Sequence, residues 1–261
     1  MLNYSFSMYE FEYFLLILVR VTAFVFVAPF FSMSNTPRRI KIAFSCFFAF
    51  LLYHTITPHE RVVYNTVFYY GLIVAREALT GLILGLSTAI CMYIVTFAGH
   101  MMDMEIGLSM ANEYDPTTKQ QTSVSGIFYQ YMVLMFLVVS RLHEYLIRAF
   151  VESYTLLPVN GAVFHNDKIV TALVKFLADY INIGFRISLP VFCALLITNC
   201  VLGIMAKVAP QMNMFAVGIQ IKLLIGFGVM FFTVGMLPYV SDFIFTEMKT
   251  MMVTIVEAIT A

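Results

Sequence analysis

The sequence predicts an all-α, polytopic membrane protein built from hydrophobic helical hairpins, and three observations support this. Of its 261 residues, 61% are hydrophobic and only 11% are charged, whereas soluble domains carry about 25% charged residues. Several uncharged runs have the length of roughly 20 residues that a helix needs to cross a bilayer. The 15 basic and 15 acidic residues balance, so nucleic-acid binding is not expected. We therefore expect a single domain, residues 1–261, in a membrane.

Uncharged runs place the expected helices along the chain. Four runs are free of charge: Ala78–Gly99, Thr122–Ser140, Ile187–Ala206 and Leu223–Ser241. Two more are interrupted, because Tyr13–Phe31 contains a central arginine and Ile42–Ala75 contains a polar segment. About six or seven helices follow from this pattern. The basic residues between 38 and 41 favour an inside position for the first loop.

The segment from Arg141 to Ile183 has a different, amphipathic pattern. Apolar residues recur there at helical spacing, and Pro158–Gly161 divides the segment into two helices. Two interpretations remain open. The pair is either an ordinary hairpin at the membrane surface or a docking hairpin for neighbouring subunits.

Several ionisable residues lie in or beside the apolar runs: Arg20, Arg76, Glu77, Asp103, Glu105, Arg186, Lys207 and Lys222. Such groups usually pair with one another or face a cavity. In one interpretation Glu77, Asp103 and Glu105 form the proton relay of an ion-coupled transporter. In the other, the charges pair helices or subunits, with Arg20 or Arg76 as partner of Glu77. The absence of an internal repeat favours assembly.

The tract Lys207–Lys222 breaks an otherwise apolar region. Pro210 cannot donate a backbone hydrogen bond and ends or kinks a helix, and Gln211 and Asn213 supply polar side chains. We expect a helical hairpin whose tip lies between residues 207 and 218, and an interface or pathway at this tract.

A loop that follows a cluster of methionines, Met101, Met102 and Met104, separates two of the clean runs, and we call it the methionine-rich loop. It comprises Gly107, Leu108, Ser109, Met110, Ala111, Asn112, Glu113, Tyr114, Asp115 and Pro116. Methionine repacks easily around varied partners, so the loop is interpreted either as a deformable seal or as ordinary core filling.

Motifs of catalysis and ligand binding are not found. The five histidines are scattered without metal-ligand spacing, and no nucleophile elbow, P-loop or dinucleotide fingerprint occurs. We therefore expect a protein that is not an enzyme and has no catalytic, cofactor-binding or metal-binding residues.

Several segments together resemble one family. They are Arg20–Ser32 with Pro37–Lys41; Arg76 and Glu77 with Gly81 and Gly85; Ala98 and Gly99 with Asp103, the loop after Gly107 and Asp115-Pro116; and Ala209–Asn213 with Phe215, Gly218 and Lys222. This chain is similar in these segments to the FliR/SctT family of type III export-gate subunits. It departs from the family at Gln220, where proline is common, and at Lys207, where arginine is common.

The resemblance implies a function, partners and a location. A family member closes a helical ring with FliP-like and FliQ-like subunits and works with FlhB-like and FlhA-like components. The ring passes unfolded secreted substrates through the bacterial inner membrane at the flagellar basal body. Gly107–Pro116, with the residues up to about Ser123, would be the pore plug. A virulence-type SctT role is the alternative within the family.

Overall fold

The fold is all-α, as expected. The computed structural model describes residues 8–33, 36–56, 64, 66–111, 114–115, 120–121, 123–211 and 213–260. Its α-helices are α1 (Met8–Val27), α2 (Arg38–Thr55), α3 (Val67–Ile106), α4 (Val124–Val139), α5 (Leu142–Leu156), α6 (Asn166–Val208), α7 (Met214–Val234) and α8 (Leu237–Ile259). Between α3 and α4 lie a 3₁₀ turn, Leu108–Ala111, and two paired strands, β1 (Tyr114–Asp115) and β2 (Gln120–Gln121).

The chain divides into two compact units. The first comprises Met1–Ile90, Arg141–Phe176 and Glu247–Ala261, and the second comprises Cys91–Ser140 and Leu177–Thr246. This division does not test whether the chain folds as one cooperative domain, so the single domain stays a prediction.

The first unit is centred on the packing of α1. Buried side chains follow one face of this helix at helical spacing, among them Leu16, Ile17 and Phe24, which is the pattern of a helix packed into a core. Phe24 stacks on Phe150 of α5 with ring centroids 4.2 Å apart. Helix α1 ends two residues before Pro29, because the residue before a proline is disfavoured in the α conformation.

In the second unit, small residues let the helices approach closely. A Cβ atom at Gly226 of α7 would lie 2.6 Å from the Cγ1 of Ile106. A Cβ atom at Gly184 of α6 would overlap the ring of Phe97. Glycine at both sites therefore sets the helix separation.

Two expected boundaries were wrong. Helix α6 joins the second amphipathic segment to the run Ile187–Ala206 as one helix of 43 residues, since no strong breaker separates them. The run Leu223–Ser241 is two helices, because α7 ends at Val234 and Pro238 has no N–H for the carbonyl four residues earlier. The run Thr122–Ser140 corresponds to α4, which has 16 residues and is long enough for a span only together with α5.

In the part of the chain that the structure describes, three helices are long and apolar enough to cross a membrane, or four if the broken pair α4 and α5 counts as one span. The three are Val67–Ile106, Asp167–Val208 and Phe215–Val234. In the apolar windows of the last two, only 22% and 17% of residues are buried. These two helices thus leave most of their apolar surface uncovered within the single chain.

Candidate functional site

A buried ion pair joins α1 to α3 in the first unit. The Arg20 Nε atom lies 2.5 Å from one oxygen of Glu77, and its Nη2 atom donates to the other at 3.0 Å. Both side chains are fully buried. The pair is bidentate, which is the strongest arrangement of guanidinium and carboxylate. Of the two partners considered for Glu77, Arg20 is the one in contact, and Arg76 is exposed.

The turn after α5 completes this ion pair. Arg20 Nη1 donates to the carbonyl of Leu157 at 2.8 Å, and the backbone N–H of Asn160 donates to Glu77 at 2.8 Å. Asn160 takes a positive φ of 66°, which asparagine tolerates better than most residues. The Arg20 guanidinium also lies 4.4 Å from the ring centroid of Tyr154. One salt bridge therefore links α1, α3 and the α5–α6 turn.

Two glycines of α3 make this pairing sterically possible. A Cβ atom at Gly81 would overlap the carbonyl oxygen of Arg20. A Cβ atom at Gly85 would lie 3.0 Å from the carbonyl oxygen of Phe24. The GxxxG spacing that follows Glu77 thus brings the backbones of α1 and α3 close enough for the short side-chain contact.

A second buried carboxylate lies in the second unit. Asp103 near the end of α3 accepts a hydrogen bond from the Ser123 hydroxyl at 2.6 Å and another from the Ser125 N–H at 3.3 Å. Ser123 also caps α4, since its Oγ atom accepts from the Gly126 N–H at 2.8 Å. A carboxylate at a helix N-terminus satisfies free N–H groups and suits the helix dipole. We call this contact the Asp103–Ser123 clasp.

The clasp joins the last turn of α3 to the N-cap of α4, on either side of the segment that contains the methionine-rich loop. Helix α3 ends at Ile106, and Gly107 follows with a φ of 92°, a conformation that favours glycine. Within the proposed plug, Asn112, Glu113 and Pro116 lie outside the described residues, as do the side chains of Met110, Ala111, Tyr114 and Asp115. Of the methionines before the loop, Met102 is buried and Met104 is exposed.

An exposed turn connects α6 and α7. Helix α6 ends at Val208, and α7 begins at Met214 behind the N-cap Asn213. This confirms a break between residues 207 and 218. A Cβ atom at Gly218 would lie 3.5 Å from a Leu202 methyl group, so α7 returns beside α6 as a hairpin.

The predicted site residues thus fall in separate places. Three of the expected buried charges are buried: Arg20, Glu77 and Asp103. Within the single chain Arg76 and Lys207 are exposed, whereas Lys222 is half-buried. Their place in an interface stays a prediction. Pro210, Gln211 and Asn213 are exposed on the α6–α7 turn. They lie between the two helices and so belong to no helical face that packs against a neighbour. Glu105 is half-buried, and Arg186 is exposed.

Sequence reasoning missed the partners of the buried charges. Asn160 belongs to the Pro158–Gly161 segment and Leu157 directly precedes it, and this segment was identified only as a helix break. Ser123 was taken only as a loop boundary. No local sequence pattern shows that a polar turn will fold next to a buried charge. A serine directly before an apolar helical run is a local signal of an N-cap, and it was not used to predict the cap at Ser123. Among the described residues, no group of three or more His, Cys, Asp or Glu side chains is placed to hold a metal ion.

Comparison with known proteins identifies relatives along most of the chain. The family model described as "Bacterial export proteins, family 1" matches residues 11–248. The flagellar biosynthetic protein FliR of Bacillus subtilis (strain 168) is 32% identical over 219 residues, covering 83% of this chain and 84% of that protein. FliR of Aquifex aeolicus (strain VF5) is 30% identical over 210 residues, covering 79% of each. FliR of Escherichia coli (strain K12) is 24% identical over 242 residues, covering 92% and 90%.

Proposed function

Because this chain belongs to family 1 of the bacterial export proteins, the family of the flagellar biosynthetic protein FliR, we propose that it is a subunit of the flagellar protein export gate. In this proposal it forms, with FliP-like and FliQ-like subunits, a channel that conducts unfolded flagellar proteins across the inner membrane. FlhB-like and FlhA-like components would act beside it. It is a channel subunit and not an enzyme.

The uncovered surface of α6 and α7 is the observation that carries this proposal. With 22% and 17% of their apolar windows buried, both helices need lipid or other subunits to cover them. Their connecting turn is polar and exposed, and the side chains of Gln211 and Asn213 can form hydrogen bonds with a partner there. Apolar helices joined by a polar turn suit a subunit that packs against several partners.

Co-purification tests the assembly. A tagged copy of this chain, produced in its own cells, should retain small polytopic partners of the FliP and FliQ kinds through detergent extraction and gel filtration. Recovery of the chain without any of these proteins, at an expression level equal to theirs, would contradict the proposal.

The methionine-rich loop is proposed as the plug of this channel. The Asp103–Ser123 clasp, with its 2.6 Å hydrogen bond, ties the end of α3 to the start of α4 on either side of this loop. A change within the loop therefore leaves this contact between the two helices in place. Replacing Gly107–Pro116 by a glycine-serine linker of equal length should leave the gate assembled and make the membrane leaky to ions. Unchanged ion conductance in an intact complex would contradict the plug.

The ion-coupled transporter is the alternative from another class. Glu77 is held by Arg20 and Asn160, and Asp103 by Ser123 and Ser125, so both carboxylates have fixed structural partners. These contacts favour a role in packing over a relay. Solute uptake by the purified chain alone in vesicles would instead support the transporter.

A further inference from the structure

The second unit contains a cavity that none of the roles above uses. It has a volume of about 280 Å³ and lies between α4, α6, α7 and α8. Its lining is mainly apolar, with Ile183, Ile187, Leu237 and Phe243 among the contributing residues. A cavity of this size and character accepts part of a hydrocarbon chain.

One cation stands at this apolar cavity. Arg186 is among the lining residues and is exposed. Its guanidinium forms no ion pair with any described residue. By contrast, the buried Arg20 is fully satisfied by carboxylate and carbonyl groups. An unpaired guanidinium offers two parallel N–H groups that match the oxygens of a phosphate.

The position of Arg186 along α6 matches the depth of lipid phosphates. The uncharged run Ile187–Ala206 begins at the next residue and is about 30 Å long at 1.5 Å per residue, the thickness of the hydrocarbon core. With this run in the core, Arg186 lies at its edge. The chain before it carries Lys175 and Asp179, which belong outside the core.

Two further groups add polarity to the cavity. The Tyr129 hydroxyl and the Thr233 hydroxyl are 2.6 Å apart, and Thr233 donates to the Met230 carbonyl. Tyr129 is therefore the donor between them, and its oxygen can accept another hydrogen bond. Pro190 has no N–H, which leaves the Arg186 carbonyl without its usual helical donor. A lipid headgroup with hydroxyl groups would find acceptors beside the cation.

We propose that this cavity binds an anionic phospholipid, with the phosphate at Arg186 and part of an acyl chain against the apolar wall. The charge of the site selects anionic over zwitterionic lipid, because a zwitterionic headgroup brings its own cation to the phosphate. The inference rests on the membrane location in the proposed function. It adds a ligand class that the export role does not require.

The absence of tryptophan from the chain allows a direct test. Phe243→Trp places a single reporter in the cavity wall, and Phe231→Trp places one on α7 outside the cavity lining, where Phe231 is exposed. The full-length variants are reconstituted in vesicles of equal parts phosphatidylglycerol and phosphatidylcholine, with the acyl chains of one lipid brominated. Quenching of each reporter by each brominated lipid gives the local preference.

The reporter at 243 should prefer phosphatidylglycerol by about fivefold to tenfold, the value expected for one phosphate contact worth ~1–1.4 kcal/mol. Adding Arg186→Gln should bring this preference to about one, and adding Arg186→Lys should keep part of it. The control Arg148→Gln, which removes an exposed cation outside the cavity, should leave the preference unchanged.

Three results would overturn the inference. They are a preference at 243 that survives Arg186→Gln, an equal preference at 231, and a reporter at 243 that neither lipid quenches while the one at 231 is quenched. The last result would assign the cavity to a protein partner.

If neither reporter is quenched, the chain is not in the bilayer, and the membrane location fails together with the lipid site. A chain that binds the lipid but does not co-purify with partners fails only the export-gate proposal.

Discussion

Single buried charges in this protein join segments that are distant in the sequence. Arg20 and Glu77 are 57 positions apart, and Arg20 and Leu157 are 137 apart. A buried pair of this kind is weak evidence for net stability, because desolvation offsets the attraction. Removing only one of the two partners is strongly destabilising, because the other partner then remains buried and charged without a counter-ion.

Glu77→Ala should therefore destabilise the chain by about 3–5 kcal/mol. It leaves the Arg20 guanidinium and the Asn160 N–H without their carboxylate. We expect a lower yield of folded chain and of any complex, measured by gel filtration and thermal unfolding in detergent. Arg76→Ala, at the exposed neighbouring position, is the matched control and should behave as wild type.

A double variant separates packing from a relay. Arg20→Met with Glu77→Leu removes both charges and should recover part of the yield lost in Glu77→Ala, because no charge remains uncompensated. Normal yield and assembly of Glu77→Ala with loss of export would instead indicate a role of the carboxylate in transport.

Asp103→Ala tests the clasp at the base of the loop. The change removes the acceptor of the Ser123 hydroxyl and the Ser125 N–H, at a cost of about 1–3 kcal/mol for a buried group left unsatisfied. The assembled gate should remain intact and pass ions, as reported by a membrane-potential dye. Glu105→Ala, at the half-buried acid two positions on, should not leak, and a leak of equal size there would contradict the clasp.

At the scale of helices, close approach decides more than hydrophobicity does. Helix α3 has two glycines with opposite surroundings. A Cβ atom at Gly81 would overlap the Arg20 carbonyl oxygen, whereas Gly71 has nothing within 4 Å of such an atom. Substitutions at Gly81 and Gly71 can therefore be compared within one helix, one at a close helix contact and one in open space.

Gly81→Ala should separate α1 from α3 and strain the Arg20–Glu77 pair, with a loss of about 1–3 kcal/mol in the free energy of unfolding. Gly71→Ala should be neutral or stabilise the chain by about 0.5–1 kcal/mol, since alanine favours the helix. Unfolding in denaturant of the two detergent-solubilised variants measures the difference. Equal effects at both positions would show that the glycines do not set the helix separation.

Helix ends were the least predictable feature at this scale. Hydropathy alone located the apolar runs, but it did not show that α6 extends back to Asn166 or that α7 stops at Val234. Backbone hydrogen bonding decides such boundaries, as at Pro238, and hydropathy does not report it. The break at Pro210 was predictable because proline and the polar residues after it give the same signal.

At the scale of the whole molecule, helices α6 and α7 are largely uncovered in the single chain. Substitutions on the turn that joins them can therefore weaken partner binding without unfolding the chain. Pro210→Ala with Gln211→Ala changes two exposed positions on this turn. We expect weaker co-purification of FliP-like and FliQ-like subunits and an unchanged melting temperature of the isolated chain. Glu10→Ala, at an exposed position of α1, is the control. Wild-type recovery of partners by the double variant would exclude the turn from the interface.

Composition and short patterns by themselves determined the class of this protein. A chain with 11% charged residues cannot cover itself with polar surface, and this holds whatever its fold. The GxxxG spacing after Glu77, the Pro210 break and the family resemblance follow from residues near one another in the sequence. Each therefore has a local signal.

The tertiary structure alone decided which charges meet. Glu77 pairs with Arg20 and not with Arg76, and Asp103 pairs with Ser123 across a loop, because contacts between distant segments depend on how helices pack. It also placed Arg186 at an apolar cavity formed by four helices. No local pattern reports such a neighbourhood, since the energy of a buried or half-buried charge depends on groups brought beside it only by folding.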